Sequence, residues 1–307
     1  MIEQRIVGND TIEREEMSNL IDKFITARDV KESSKTTYRK CLKQFMTWIA
    51  GMRTVNPTRE TILHYKSHIE EKGLTALTLS NYIGAVRQFF EWLEEENIYP
   101  NVAKGIKGAK KPRGFRKDTF TIEQVKALFS SADRNTLKGK RDYAILNLLV
   151  RTGLRTIEVA GANFDDIRQE AGESILWVKD KGSDSKDDFV LLMSETMGAI
   201  MEYLNARGKI KEKAPLFASL SNRNNGGRLT TKSVSRVVKE HLREVGIVSG
   251  RLTAHSLRHT FATLALRGGA HIVQVKEAMG HRSIDTTMIY AHLLDRIKNG
   301  AERYINI

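Results

Sequence analysis

The chain has 307 residues, 40% of them hydrophobic, with 4 prolines and 22 glycines, which suits two ordinary domains each with its own core. No apolar run approaches the roughly 20 residues that cross a bilayer. The start, Met1-Ile2-Glu3-Gln4-Arg5, lacks the basic-then-apolar pattern of a secretion signal. The lone Cys41 rules out a disulfide framework or a cysteine zinc cluster, and its neighbours Leu42 and Phe45 suggest a buried thiol in a reducing cytosol.

Net charge is +13, unevenly spread. Residues 1–103 hold 14 Lys/Arg against 15 Asp/Glu, residues 104–118 seven against one, and residues 119–307 29 against 21. The excess forms a short strap and a basic second half, an arrangement suited to a polyanion such as nucleic acid.

Residues 16–99 read as all-helical. Met17, Leu20, Ile21, Phe24 and Ile25 recur at three and four, the period of a helix with one buried stripe. A second helix is expected to open at Ser33 or Ser34, to carry Tyr38, Leu42, Phe45 and Ile49 inward and to end at Gly51. A third spans about Thr58 to Glu71. A fourth, from Thr75 or Thr78 to Glu96, presents Leu79, Ile83, Val86, Phe89, Phe90 and Leu93. Lys104 to Asp118, with Lys110 and Lys111 among its seven cations, has no apolar period and reads as an extended basic linker that also touches phosphate.

The second domain is expected to begin near Thr121, a capping residue with Gln124 three positions on. Helices are predicted at about 121–132, 138–152, 194–207, 231–245, 256–267, 272–279 and 284–292. Ile175-Leu176-Trp177-Val178 and Phe189-Val190-Leu191-Leu192 read as strands flanking a polar hairpin turn with Lys179, Lys181 and Lys186. The chain is therefore predicted to be mainly α, a four-helix domain followed by a mainly helical domain with one small antiparallel sheet.

Polar residues of the second half suggest chemistry. His255 and Arg258 share a helix face one turn apart, with Leu257, Phe261 and Leu264 anchoring that helix. Arg155 follows a helix end at Gly153, where a guanidinium can donate two parallel hydrogen bonds to phosphate, with Glu158 one turn on to orient it. A hairpin lysine can protonate a leaving oxygen. Tyr290, on a short helix capped by Ser283, becomes a nucleophile only where cations favour its phenolate. Two arginines, two histidines (His255, His281), a lysine and a tyrosine without matching carboxylates suit phosphoryl transfer to a phenol.

Taken together, these segments resemble the tyrosine recombinase (lambda-integrase-type) superfamily, and in size the Xer-type members. Thr152-Gly153-Leu154-Arg155-Thr156-Ile157-Glu158 is similar to its first arginine box. Ala254-His255-Ser256-Leu257-Arg258-His259-Thr260-Phe261 with Met279-Gly280-His281 is similar to its second, and Ile289-Tyr290-Ala291-His292 to its nucleophile segment. The resemblance covers nearly the whole chain from about residue 14. It implies a SAM-like core-binding domain over 14–103, a linker over 104–118 and a catalytic domain over 119–307.

The resemblance further implies attack by Tyr290 on a scissile phosphate to give a 3′-phosphotyrosyl link. Arg155 and Arg258 would hold the non-bridging oxygens, and His255 and His281 would bond to phosphate or move protons. Lys181 would protonate the leaving 5′ oxygen, and Glu158 would support the site. No cofactor and no metal are expected, consistent with the lack of a P-loop, a magnesium carboxylate cluster or a dinucleotide fingerprint. The implied partner is a double-stranded DNA target site, gripped in a C-shaped clamp. Ser34, Lys35, Thr36, Tyr38, Arg39 and Lys43 on the second helix and Thr78, Ser80, Asn81 and Arg87 on the fourth would face it. Also implied are a monomer that assembles into a tetramer at synapsis through the 293–307 tail and a cytoplasmic, nucleoid-associated location. Few residues precede the first helix, so no arm-binding domain is expected. Three other readings compete: a zinc hydrolase using His255 and His259, in which Arg258 would repel the cation; a non-catalytic DNA-binding protein; and a type IB topoisomerase.

Overall fold

In the computed structural model the described residues are 10–52, 54, 56–110, 118–179 and 185–305, with side chains from residue 19. The chain divides into two compact units, Met1–Arg113 and Gly114–Ile307.

The first unit is built from helices α1 (Asp10–Ala27), α2 (Glu32–Gly51), α3 (Arg59–Glu71) and α4 (Ala76–Glu95). The expected stripes point inward: Phe24, Leu42, Phe45, Ile83 and Phe89 are buried in one core, joined by Ile62 and Tyr65 of α3. Helix starts follow local chemistry. Thr58 and Thr75 each accept an N–H three residues on, from Thr61 and Thr78, which satisfies an otherwise orphaned donor. The start of α2 differs from expectation. It opens at Glu32 after Lys31, whose carbonyl takes the N–H of Ser34 and Lys35, so Ser33 and Ser34 lie inside the first turn. Glu32 there complements the positive end of the helix dipole without a side-chain cap.

The first part of the expected linker belongs to this unit. Ile106 is buried in its core, Arg59 donates to Lys104 O and Ser80 Oγ donates to Ala109 O. Ile106 and the half-buried Ala109 anchor the segment among its cations. Lys110 is exposed; Lys111 lies outside the described residues.

The second unit has helices α5 (Ile122–Ser130), α6 (Leu137–Thr152), α7 (Thr156–Gly161), α8 (Ser194–Arg207), α9 (Thr231–Glu244), α10 (Ala254–Arg267), α11 (Ile272–Ala278) and α12 (Asp285–Asn299). Its sheet has three antiparallel strands in the order β1 (Ile167–Glu170), β2 (Glu173–Val178) and β3 (Asp188–Leu191). Strand β1 was not foreseen, because Ile167-Arg168-Gln169-Glu170 carries no apolar alternation; it pairs Ile167 with Leu176 through a tight turn at Ala171-Gly172. Lys186 at the base of the hairpin is ion-paired with Asp166.

Helix α6 is the spine of this unit, with Ile145, Leu146, Leu148 and Leu149 fully buried. It is locked to α9 by a buried ionic knot. Asp142 accepts two hydrogen bonds from Arg141 and one from Lys138, and His241 of α9 lies 3.6 Å from the same carboxylate. Helix α12 is longer than expected and runs on to Asn299. Ser283 accepts the N–H of Asp285 one step ahead of the helix, whose N-cap is Ile284. Among the described residues no helix is long and apolar enough to cross a membrane.

Candidate active site

Gly153 ends α6 in the left-handed conformation, at φ 68°. Only glycine suits the position twice over. A β-carbon there would lie 2.4 Å from Phe261 Cδ1 of α10, and an L side chain pays for positive φ. The contact seats α10 directly on the α6–α7 turn. Gly153→Ala is expected to cost about 2–4 kcal/mol, from left-handed strain plus overpacking. A thermal unfolding midpoint equal to wild type would contradict it.

That close approach brings the second arginine to the first. Arg258 on α10 is 3% exposed; its Nη1 donates to Gly153 O at 2.7 Å and its Nη2 to Met279 O. Arg155 begins α7. Its Nη2 donates to Gly280 O at 3.0 Å, and its Nη1 to Glu158 Oε1 at 2.5 Å. Glu158 is buried and also accepts the Arg155 backbone N–H at 2.6 Å. One carboxylate thus caps α7 and fixes the guanidinium, a charge-assisted pairing. Both guanidinium groups grip the same Met279-Gly280 turn, where Gly280 has φ 55°. Three segments distant in sequence, at 153–158, 258 and 279–281, are tied together by two side chains.

His281 follows that turn, half-buried, and its Nδ1 shares a 2.8 Å hydrogen bond with the fully buried Thr287 Oγ1. Burial and the positive charges of Arg258 and Arg155 pull its pKa down to about 4. His255 is exposed at the N-terminal end of α10, its ring edge-on to His259 with centroids 4.6 Å apart. Among the described residues no three His, Cys, Asp or Glu side chains come together as a metal site.

Tyr290 sits on α12 in a small apolar cluster with Ala262, Val275 and Met279 that joins α10, α11 and α12. The side chain is only 3% exposed, and its hydroxyl meets His259 Nδ1 at 2.5 Å. Burial pushes the phenol up to about 12, against the opposing pull of Arg258. Arg258 therefore lies close to both the phenol and His281, and Arg155 close to His281.

Lys181 lies outside the described residues, and of its rivals Lys186 is occupied by Asp166 and Gly161 O. Of the tail's apolar residues, Leu293, Ile297, Tyr304 and Ile305 are exposed and Leu294 is half-buried.

The expected contacts on α2 and α4 are only partly gathered. Ser34, Tyr38, Ser80 and Asn81 line a groove of about 430 Å³ between the two helices. Lys43 and Arg87 are exposed elsewhere on these helices, Lys35 lies 3.9 Å from Glu32, Arg39 pairs with Asp22 at 3.3 Å and Thr36 Oγ1 donates to Glu32 O. Sequence reasoning missed a basic face on α9. Lys232, Arg236, Lys239 and Arg243 line a cleft of about 520 Å³ that Thr156, next to Arg155, also borders. Their spacing of four, three and four was the available signal.

Comparison with known proteins gives the family. Residues 118–296 match the model of the phage integrase family, and residues 19–97 that of the phage integrase N-terminal SAM-like domain. The chain is 31% identical over 293 residues to tyrosine recombinase XerD of Halalkalibacterium halodurans, covering 91% of this chain and 94% of the relative. It is 33% identical over 280 residues to tyrosine recombinase XerC of Pelobacter propionicus, covering 89% of each. Its fold resembles the XerH site-specific recombinase in a post-cleavage complex with palindromic difH substrate (TM-score 0.72, 24% identity, 93% of this chain and 85% of that one). It also resembles the Tn1549 transposon integrase in complex with transposon right end DNA (TM-score 0.69, 18% identity, 92% and 99%). With both of its halves matched and curated relatives at this identity along most of its length, the chain belongs to the phage integrase family, as an Xer-like tyrosine recombinase acting in site-specific recombination.

Proposed function

We propose that this recombinase cuts and rejoins duplex DNA at a specific site through a 3′-phosphotyrosyl link to Tyr290, with neither metal ion nor ATP. The observation that carries the reading is the double clamp of Arg155 and Arg258 on the Met279-Gly280 turn, which sets His281 near both guanidinium groups, with Tyr290 near Arg258. A phosphate seated there meets planar donors suited to its non-bridging oxygens, and pre-organised positive charge stabilises the transition state as a metal clamp does elsewhere. A covalent phosphotyrosine keeps the phosphodiester energy, so rejoining needs no external supply.

His255 and His281 contact the phosphate or move protons, Glu158 supports Arg155, and Lys181 protonates the leaving 5′ oxygen. The tie of Lys186 to Asp166 favours this choice over its neighbour. The first unit serves as the core-binding DNA-binding domain, 119–307 as the catalytic domain, and the basic strap with Lys110 and Lys111 runs along phosphate. The cationic face of α9 adds a second DNA-contacting surface beside the Arg155 box. Exposed Leu293, Ile297 and Tyr304 support assembly, with the tail of each subunit packing on a neighbour in a synaptic tetramer. A duplex DNA target is consistent with work in the cytoplasm, at the nucleoid.

The test uses a nicked duplex whose sequence is selected by the protein from a random library. A covalent adduct is expected in the presence of chelator and without ATP; adduct formation that chelator abolishes would refute the metal-free step. Lys181→Ala is expected to lower adduct yield by about two to four orders of magnitude, the range of general acid catalysis. Sulfur at the bridging 5′ position, a better leaving group, is expected to restore most of it. If only Lys179→Ala responds to sulfur, the acid is Lys179.

A further inference from the structure

We propose that His259 is a further catalytic residue: its Nδ1 holds the Tyr290 phenol in place and takes the phenolic proton as the nucleophile attacks. The inference rests on the nucleophile assignment made above. Its basis is contact geometry. The phenol is enclosed, and its hydroxyl meets the imidazole at 2.5 Å, within the range of a short hydrogen bond. His259 is the neighbour of Arg258 in sequence, so the proton acceptor and a phosphate-holding guanidinium are carried by one turn of α10. The ring of His255, one turn back, packs edge-on against it at 4.6 Å and limits its rotation.

Protonation states set the direction of the resting hydrogen bond, while the transfer itself is coupled to bond formation at phosphorus. Among the described residues, the charged and titratable groups facing His259 include His255 and Arg258 of its own helix, Tyr290 of α12 and His281 of the α11–α12 turn. Burial, then the neighbouring His255 and the positive charge of Arg258, lower its pKa to about 4, so the ring is neutral near pH 7. The buried phenol, raised to about 12, keeps its proton. The phenol O–H therefore donates, Nδ1 accepts, and Nε2 carries the ring hydrogen. His281 Nδ1 is engaged with Thr287, which suits it to another role.

The step balances. As Tyr290 Oη bonds to phosphorus, its proton passes to Nδ1 and His259 becomes an imidazolium. The P–O5′ bond breaks, and the 5′ oxygen leaves as a hydroxyl with a proton from the acid on the leaving side, the role given to Lys181. On rejoining, an incoming 5′ hydroxyl displaces the tyrosine, and the imidazolium returns the proton to the phenolate oxygen.

The experiment measures single-turnover adduct formation on the library-selected nicked duplex across pH, with DNA affinity and thermal midpoint measured alongside. His259→Asn keeps an acceptor oxygen near the Nδ1 position but removes the base. It is expected to bind DNA as wild type does and to cleave about 100-fold more slowly, within the range of a lost general base. Its rate is expected to climb about tenfold per pH unit, because only the spontaneously ionised phenolate reacts, whereas the wild-type rate stays level through neutrality. Imidazole added to His259→Ala is expected to restore cleavage in a saturable way; a merely structural histidine gives neither effect.

A His259→Asn rate within about threefold of wild type with no pH slope, or faster cleavage by either variant, would overturn the proposal. Should His259→Ala fail to fold, the Asn variant and its pH profile decide alone. Adducts formed by Tyr290→Phe would instead refute the nucleophile assignment. An inert Tyr290→Phe beside a normal His259→Asn would refute only the role of His259.

Discussion

Tyr290→Phe is expected to bind its DNA site as tightly as wild type and to form no covalent adduct at all. The substitution deletes one oxygen and keeps the ring, which fills the cluster of Ala262, Val275 and Met279 between α10, α11 and α12. The fold loses the hydrogen bond to His259, worth about 0.5–1.5 kcal/mol. Tyr290→Ala would be a poor test, since emptying a buried aromatic site costs about 3–5 kcal/mol and would loosen α12 itself. Gel-shift affinity, thermal midpoint and denaturing-gel adduct yield separate the effects. An adduct in the Phe variant, mapped to another side chain, would move the nucleophile elsewhere.

The legibility of this protein differs between fold and site for physical reasons. Helix spans came through because period, cap and terminator agree locally. At α5, Thr121 accepts the Gln124 N–H while the Gln124 side chain accepts that of Thr121; at α6, Gly153 takes the left-handed turn. The misplaced start of α2 has the opposite cause, because serines that could cap are equally able to sit in a first turn, and the backbone chose Lys31. Strand β1 is polar on its exposed residues and owes its conformation to pairing with β2, a non-local fact.

The motif residues at 155, 258, 281 and 290 could be picked out from spacing and resemblance, but their arrangement could not. Nothing in the linear sequence says that Arg155 and Arg258 grip consecutive carbonyls, or that the phenol is enclosed and bound to His259. Both depend on Phe261 lying against Gly153, a contact across more than a hundred residues. The α9 cations went unread although their spacing was there, and they gained meaning only once Thr156 was seen at the edge of their cleft.

Arg258→Lys keeps the charge and tests what the shape contributes. The guanidinium reaches Gly153 O and Met279 O with different nitrogens, at opposite ends of a rigid fork. An ammonium is a single point and cannot span both while facing a phosphate. One buried carbonyl is then left without its donor, at about 1–3 kcal/mol, and the Met279-Gly280 turn that sets His281 loses one of its two clamps. Cleavage is expected to fall by about two to three orders of magnitude, the loss typical of one transition-state donor. DNA affinity should change little, because many other cations share that contact. Arg155 holds the neighbouring carbonyl, so the pair acts as a unit and Arg155→Lys together with Arg258→Lys should cost less than the two losses combined. A near-normal cleavage rate in Arg258→Lys would mean that charge alone suffices at this position, and the geometric account of the clamp would fail.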